Sequence, residues 1–297
     1  MARIKETTSA RFKWNRSQLI ESNTYVKVFT ETLNKLLAPD DRQTLFIISR
    51  FFADGAAESG RRRLRMAQYF FERGEKYTAD IPAEKIFLKG FLNNIYDRSK
   101  SFYYYRIGNP AEAIRLINNT LINNQVLEAN GFAFLLFDRV SQYHNLAKIY
   151  FSLHQPQQAF EILSEIVCFL MVGRSDFLPH LNNNYLTIYT QDLINMRYSL
   201  LADILFETTS NLQKETDKEI FFQESKAFFL PILRLAPGLI ILEDKEALLQ
   251  NWLLLISLFY EREFHLFKKE AEAFLVHQPL SLRNASNQLL RGFINHC

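Results

Sequence analysis

Apolar residues return every third or fourth position along most of the chain, the interval that lines up one face of an α-helix. From residue 17 to 38, Leu19, Tyr25, Val26, Val28, Phe29, Leu33, Leu36 and Leu37 keep that interval until Pro39 and Asp40 interrupt it. The same period predicts helices over 41–54, stopped by Gly55, and over 59–74, where Leu64, Ala67, Phe70 and Phe71 form the apolar face. A long aromatic helix is predicted over 83–107 after the Pro82 turn. Gly108-Asn109-Pro110 closes it, since glycine accepts a left-handed backbone at a helix exit and proline suits a first helical turn. Further helices are predicted over 110–124, 131–153, 156–172, 181–208, 219–235 with a kink expected at Pro231, 242–264, 268–277 and 280–296. No alternating strand pair with a hairpin turn interrupts the series, so the expected fold is all-α, built from helical hairpins.

Composition agrees with this pattern: 297 residues hold only 9 Gly and 8 Pro, little material for turn-rich β structure, while 27 Phe and 13 Tyr supply ample core. Residues 1–16, with Arg3, Lys5, Arg11, Lys13 and Arg16, read as a basic, disordered leader. Residues 17–80 form an N-terminal helical region and 81–297 a repeat array that could continue it. The longest apolar run, 252–260, is broken by Ser257 and falls far short of the ~20 residues that span a bilayer, so no membrane span is expected. Two cysteines, Cys168 and Cys297, supply neither a disulfide framework nor a four-ligand metal site, which favours a reducing compartment, the cytoplasm.

The 35 basic and 32 acidic residues nearly balance, giving no general attraction to nucleic acid. Arg61, Arg62, Arg63 and Arg65 are the densest positive run, and they read as the solvated side of a helix, so a nucleic-acid partner is disfavoured. The segment from Tyr104, YYRIGNPAEAIRLI, nearly recurs from Tyr150 as YFSLHQPQQAFEIL, with Tyr, Pro and Ala shared. Each is the end of one helix, a tight turn and the start of the next, where Ala113 and Ala159 permit close helix approach across Tyr104 and Tyr150.

This pattern resembles the tetratricopeptide repeat. Tyr143, Leu146, Ala147, Tyr150, Ala159 and Leu163 match the family's spacing of large and small positions, and the earlier copy keeps Tyr104, Gly108, Ala113 and Ile117. That copy departs with Ser101 at the small site and Lys100 where Leu is expected, and the interval from Tyr104 to Tyr150, 46 residues, exceeds the family's ~34. The resemblance implies a right-handed superhelix of hairpins, the alternative being an irregular helical bundle. It implies, too, a protein- or peptide-binding groove lined by the first helix of each unit. Carried over by position, the groove residues are Arg98, Phe102, Tyr105 and Arg106 from one copy and His144, Lys148, Phe151 and Ser152 from the other. Each set shares one helical face, a cationic and aromatic surface suited to an acidic peptide.

No catalytic constellation emerges. The six histidines lack the spacing that places two zinc ligands on one helix face, and Gly55 and Gly60 lack the Lys-Ser/Thr of a phosphate loop. Gly173-Arg174-Ser175-Asp176, near His180, lacks the second glycine of a nucleophile elbow. No cofactor or metal is expected, and oligomeric state is left open. Two other classes compete with the scaffold: an enzyme with an interhelical pocket, favoured by a buried acid–base pair, and a self-associating structural subunit.

Overall fold

The computed structural model describes residues 29–172, 217–238 and 244–277, with shorter stretches within 197–212 and 290–294. The predicted leader, residues 17–28 of the first predicted helix, the Gly173–Asp176 motif, His180 and Cys297 lie outside the described residues. Among the described residues the chain is all-helical, and neighbouring helices pack in pairs. After a helix at residues 29–36 come α1 (Pro39–Gly60), α2 (Leu64–Ala79), α3 (Ile86–Arg106), α4 (Pro110–Ala129), α5 (Leu135–Ser152) and α6 (Pro156–Val172). Then follow α7 (Lys218–Leu235), a 3-10 turn at Ala236–Gly238, α8 (Asp244–Tyr260) and α9 (Phe264–His277). No described helix is long and apolar enough to cross a membrane.

The chain divides into two compact units, Tyr25–Ile149 and the residues from Tyr150 onward, with the division falling inside α5. In the first unit α1 packs on both α2 and α3, and α3 packs on α4, around a core of Phe52, Phe71, Phe91, Leu92, Phe132 and their neighbours. In the second unit α6 packs on α7 and α8 on α9. There the buried Arg197 donates to the carbonyls of Leu170 and Met171, placing a cation on the negative end of α6.

A 46-residue hairpin period is written into the backbone. The first helices end at Gly60, Arg106 and Ser152, and the second helices begin at Leu64, Pro110 and Pro156, each 46 residues after the last. The left-handed residues between them, Arg62, Gly108 and His154, keep the same interval. Each turn closes with the same pair of bonds. Arg63 donates to Glu58 and Arg62 to Ser59; Asn109 donates to Tyr104 and Gly108 to Tyr105; Gln155 donates to Tyr150 and His154 to Phe151. Asn109 also caps α4 by accepting from the Glu112 amide at 3.2 Å. Three alanines, Ala67, Ala113 and Ala159, occupy equivalent places on the second helices and are all fully buried. The hairpin spanning 39–79 is thus a further copy of the unit, one that the sequence pattern showed only from residue 104 onward.

Several predicted boundaries shift for identifiable reasons. Gly55 does not stop α1: a Cβ there would lie 2.9 Å from the Phe71 ring, so this glycine is a notch for a neighbouring side chain. Gly74 of α2 is the reciprocal notch for Phe52 of α1. Only Arg65 of the arginine run lies on the solvated side of a helix. Arg61, Arg62 and Arg63 form the turn, with Arg61 and Arg63 paired to the mostly buried Glu58. The predicted 242–264 helix ends at Tyr260 because Arg262 takes a left-handed backbone with no glycine to announce it. Pro231 lies inside α7, which continues to Leu235.

Gly74→Ala is expected to cost about 1–3 kcal/mol, because its methyl would collide with the Phe52 ring in a packed core. A urea melt reads this as a lowered midpoint with unchanged slope; an unmoved midpoint would remove Phe52 from the notch.

Candidate functional site

The face expected to line a groove is only partly open. On α3, Phe102 is 40% exposed, Tyr105 is half-buried and Arg106 is exposed. The Arg106 guanidinium lies over the Phe102 ring at 5.8 Å and reaches the Gly60 carbonyl at 3.5 Å. Lys148 on α5 is half-buried, and Ser152 is exposed. Phe151 is half-buried against Phe160, edge to face at 5.1 Å. His144 departs from the expectation, being 8% exposed. Its counterparts one and two hairpins earlier explain why. Arg98 and Phe52 hold the equivalent register, and Phe52 is a core ring, so this position on the first helix points inward.

Arg98 escapes only because its side chain is long. Its Nη1 donates to Asp138 Oδ1 at 2.9 Å, with 44% of the Arg98 side chain exposed and 6% of Asp138. The carboxylate receives more than this one bond. Asn124 Nδ2 donates to Oδ2 at 2.9 Å, Gln142 Nε2 donates to Oδ1 at 3.4 Å, and Asn94 Nδ2 donates to Asn124 Oδ1 at 2.7 Å. The network links α3, α4 and α5 and holds a buried negative charge that would otherwise be costly. Arg98 therefore positions helices as well as facing solvent. Of the structural repeat positions, Ala113, Ala147, Ala159 and Leu163 are fully buried, Leu146 is buried, and Tyr104, Tyr143 and Tyr150 are half-buried.

Three sites beyond those picked from the sequence carry ionisable groups with perturbed chemistry. Lys100, where the repeat would place Leu, is 3% exposed, with its ammonium 4.6 Å from the Phe71 ring centroid, 5.3 Å from Tyr103, 5.7 Å from Tyr96 and 6.0 Å from Tyr104. It donates to Gln68 Oε1 at 3.1 Å. Burial lowers its pKa, opposed by Glu75 and Glu72, so the chain supplies its own cation to an aromatic cage joining α2 to α3. The aromatic run Phe102-Tyr103-Tyr104-Tyr105 hinted at ring density, but no local spacing marked Lys100 as its guest. Glu128 and Arg139 form a buried pair at 2.8 Å in which burial pushes the carboxyl upward against the pull of its guanidinium partner.

Asp97, mostly buried, is the third. Burial pushes it up to about 6, against the pull of Arg115 and a hydrogen bond from Asn119. A separate cleft of ≈ 450 Å³ opens at the start of α1 and the end of α2, with Ile47, Ile48, Tyr77 and Leu88 inside and Asp40, Asp41, Asp80 and Lys85 around it. Asp41 is bonded there to Lys85 at 3.0 Å. Among the described residues no cluster of three or more His, Cys, Asp or Glu could hold a metal ion. Burial pushes the Cys168 thiol up to about 12, a setting for packing and not for nucleophilic work. Comparison with family models, with curated proteins and with solved structures finds no match to this chain.

Two outcomes test these environments. Asp138→Ala is expected to cost about 2–3 kcal/mol, since it removes a charge-assisted bond and orphans the buried Asn124 amide. A chemical melt unchanged by that substitution would dissolve the network. Asp97 titrates higher folded than unfolded, so the native chain binds the extra proton between pH ~4 and ~6 and loses stability as pH rises across that window. Asp97→Asn should flatten this part of the stability–pH curve and raise stability at pH 8; a curve parallel to wild type would refute the assignment.

Proposed function

We propose that the chain is a tetratricopeptide-like binding scaffold, free of catalysis, that takes an acidic peptide segment of a partner protein on the open face of α3. The observation that carries this reading is the exposed Phe102 ring with the Arg106 guanidinium laid over it, beside half-buried Tyr105. Such a pair offers apolar area and a planar donor array in a fixed arrangement, so little side-chain freedom remains to be lost on binding. The 46-residue hairpin period supports the scaffold class, because stacked hairpins present their first helices as a continuous surface. Compared with the sequence expectation, this reading centres on Phe102 and Arg106, because His144 faces inward and Arg98 is engaged by Asp138. The free, buried Cys168 thiol fits a reducing compartment such as the cytoplasm. Asp97 is the observation that favours an enzyme, but the residues around the cleft do not include it.

Fluorescence anisotropy with labelled acidic, neutral and basic peptides, each carrying one aromatic anchor, tests the reading. Acidic peptides should bind preferentially, and Phe102→Ala and Arg106→Glu should each weaken them about tenfold, or ~1.4 kcal/mol, with helix content unchanged. Equal binding of basic peptides, or full affinity in both variants, would sink it.

A further inference from the structure

The first hairpin leaves one helix face largely open within its own unit, with only Arg73 at its edge lying over the Phe51 ring of α1 at 5.9 Å. Helix α2 buries Ala67, Phe71 and Gly74 against its neighbours. Directly opposite, Arg65, Tyr69, Glu72, Arg73, Lys76 and Asp80 follow one another at i, i+4, i+7, i+8, i+11 and i+15, and all are exposed. This is not an ordinary solvated stripe. Tyr69 is 48% exposed in its middle, and Arg73 lies 5.8 Å above the rings of both Tyr69 and Tyr77, with Nη1 donating to the Tyr69 hydroxyl at 3.4 Å and Nη2 to that of Tyr77 at 3.3 Å. The guanidinium and its rings form a flat, pre-ordered patch between a basic end and an acidic end.

The order of charges along that face is self-complementary when reversed. We propose that α2 docks antiparallel on α2 of a second copy of this chain, about a two-fold axis between Glu72 and Arg73, so that Arg65 of each copy meets Asp80 of the other. In that register Glu72 of one copy faces Arg73 of the second, and Lys76 faces the Tyr69 ring. Every charged position of the stripe then meets an opposite charge or an aromatic face, and two-fold symmetry makes each contact twice. A parallel or shifted docking loses this, because Arg65 would face Arg65 or Asp80 would face solvent. The acidic end is also the recessed one. Asp80 lies at the ≈ 450 Å³ cleft with Asp40 and Asp41, so a long arginine side chain can lay its stem on Ile47 and Tyr77 while its guanidinium meets carboxylates. The basic end carries Arg62 at the exposed tip of the α1–α2 turn, beside Arg65.

The docking face lies on α2 and the peptide face on α3, so the two can fail independently. Sedimentation velocity over a concentration series, at low and high salt, reads the association of the intact chain. Wild type should pass from monomer to a closed dimer as concentration rises, and should dissociate more readily at high salt. Arg65→Glu alone and Asp80→Arg alone should each raise the dimer dissociation constant about tenfold or more, because each homodimer then holds two like-charge pairs. Mixing the two single variants should restore the dimer, since Arg65→Glu chains paired with Asp80→Arg chains satisfy both contacts. Circular dichroism on each variant separates lost docking from lost folding. A monomer at every concentration, species growing beyond the dimer, or a mixture no more associated than its components would each overturn the proposal.

Discussion

Helices in this chain approach one another closely because small side chains stand where they meet. Ala67, Ala113 and Ala159 hold that place on three successive second helices, and Gly55, Ser101 and Ala147 hold a matching small site on the first helices. Once the backbones are near, the larger residues have nowhere to go but between them. In the first unit the rings of Phe52, Phe71, Phe91 and Phe132 fill that space, and Tyr96 and Tyr103 pack on it from the side. The left-handed residue at each turn follows from the same geometry, because a short exit from one helix must feed the next without lengthening the loop. The period, the turns and the cores are therefore consequences of where the chain is thin.

Polar groups were then fitted into an interior that would have been simpler without them. Asp138 is held by Arg98, Asn124 and Gln142; Lys100 sits within reach of four rings; Glu128 faces Arg139. Each lies between helices of different hairpins or on either side of a turn, so each distinguishes one pairing of similar helices from another. Apolar residues of equal volume could fill those sites without naming a partner. An array of similarly built hairpins needs such distinctions more than a fold with unlike elements does.

The helical class and most helix boundaries were legible in the hydrophobic period, and Gly108, Pro110 and Pro156 marked two of the hairpin turns by composition. The α1–α2 hairpin escaped notice because its copy of the repeat shares only Ala67 with the others and carries Arg62 where glycine would have been the signal. Gly55 misled for the opposite reason: from sequence a glycine reads as a break, whereas here it receives a ring. On the candidate face, helical spacing grouped Arg98, Phe102 and Arg106 but could not tell which edge of the stripe turned inward. That depends on Asp138, 40 residues away in sequence, and on the register shared by Phe52 and His144. Lys100 was out of reach for the same reason, since its aromatic surroundings come from α2 as well as its own helix.

The two glycine notches of the first hairpin carry a consequence for inheritance. Phe71 sits in Gly55 and Phe52 in Gly74, so each helix is both plug and socket to the other. A slip by one helical turn, ~5.4 Å, would empty both seats at once, leaving two phenylalanines facing backbone that has a side chain in the way. Four residues on two helices thus behave as one character: a change at any of them is tolerated only in company, and the pairing of α1 with α2 is fixed as a key is fixed by its cuts.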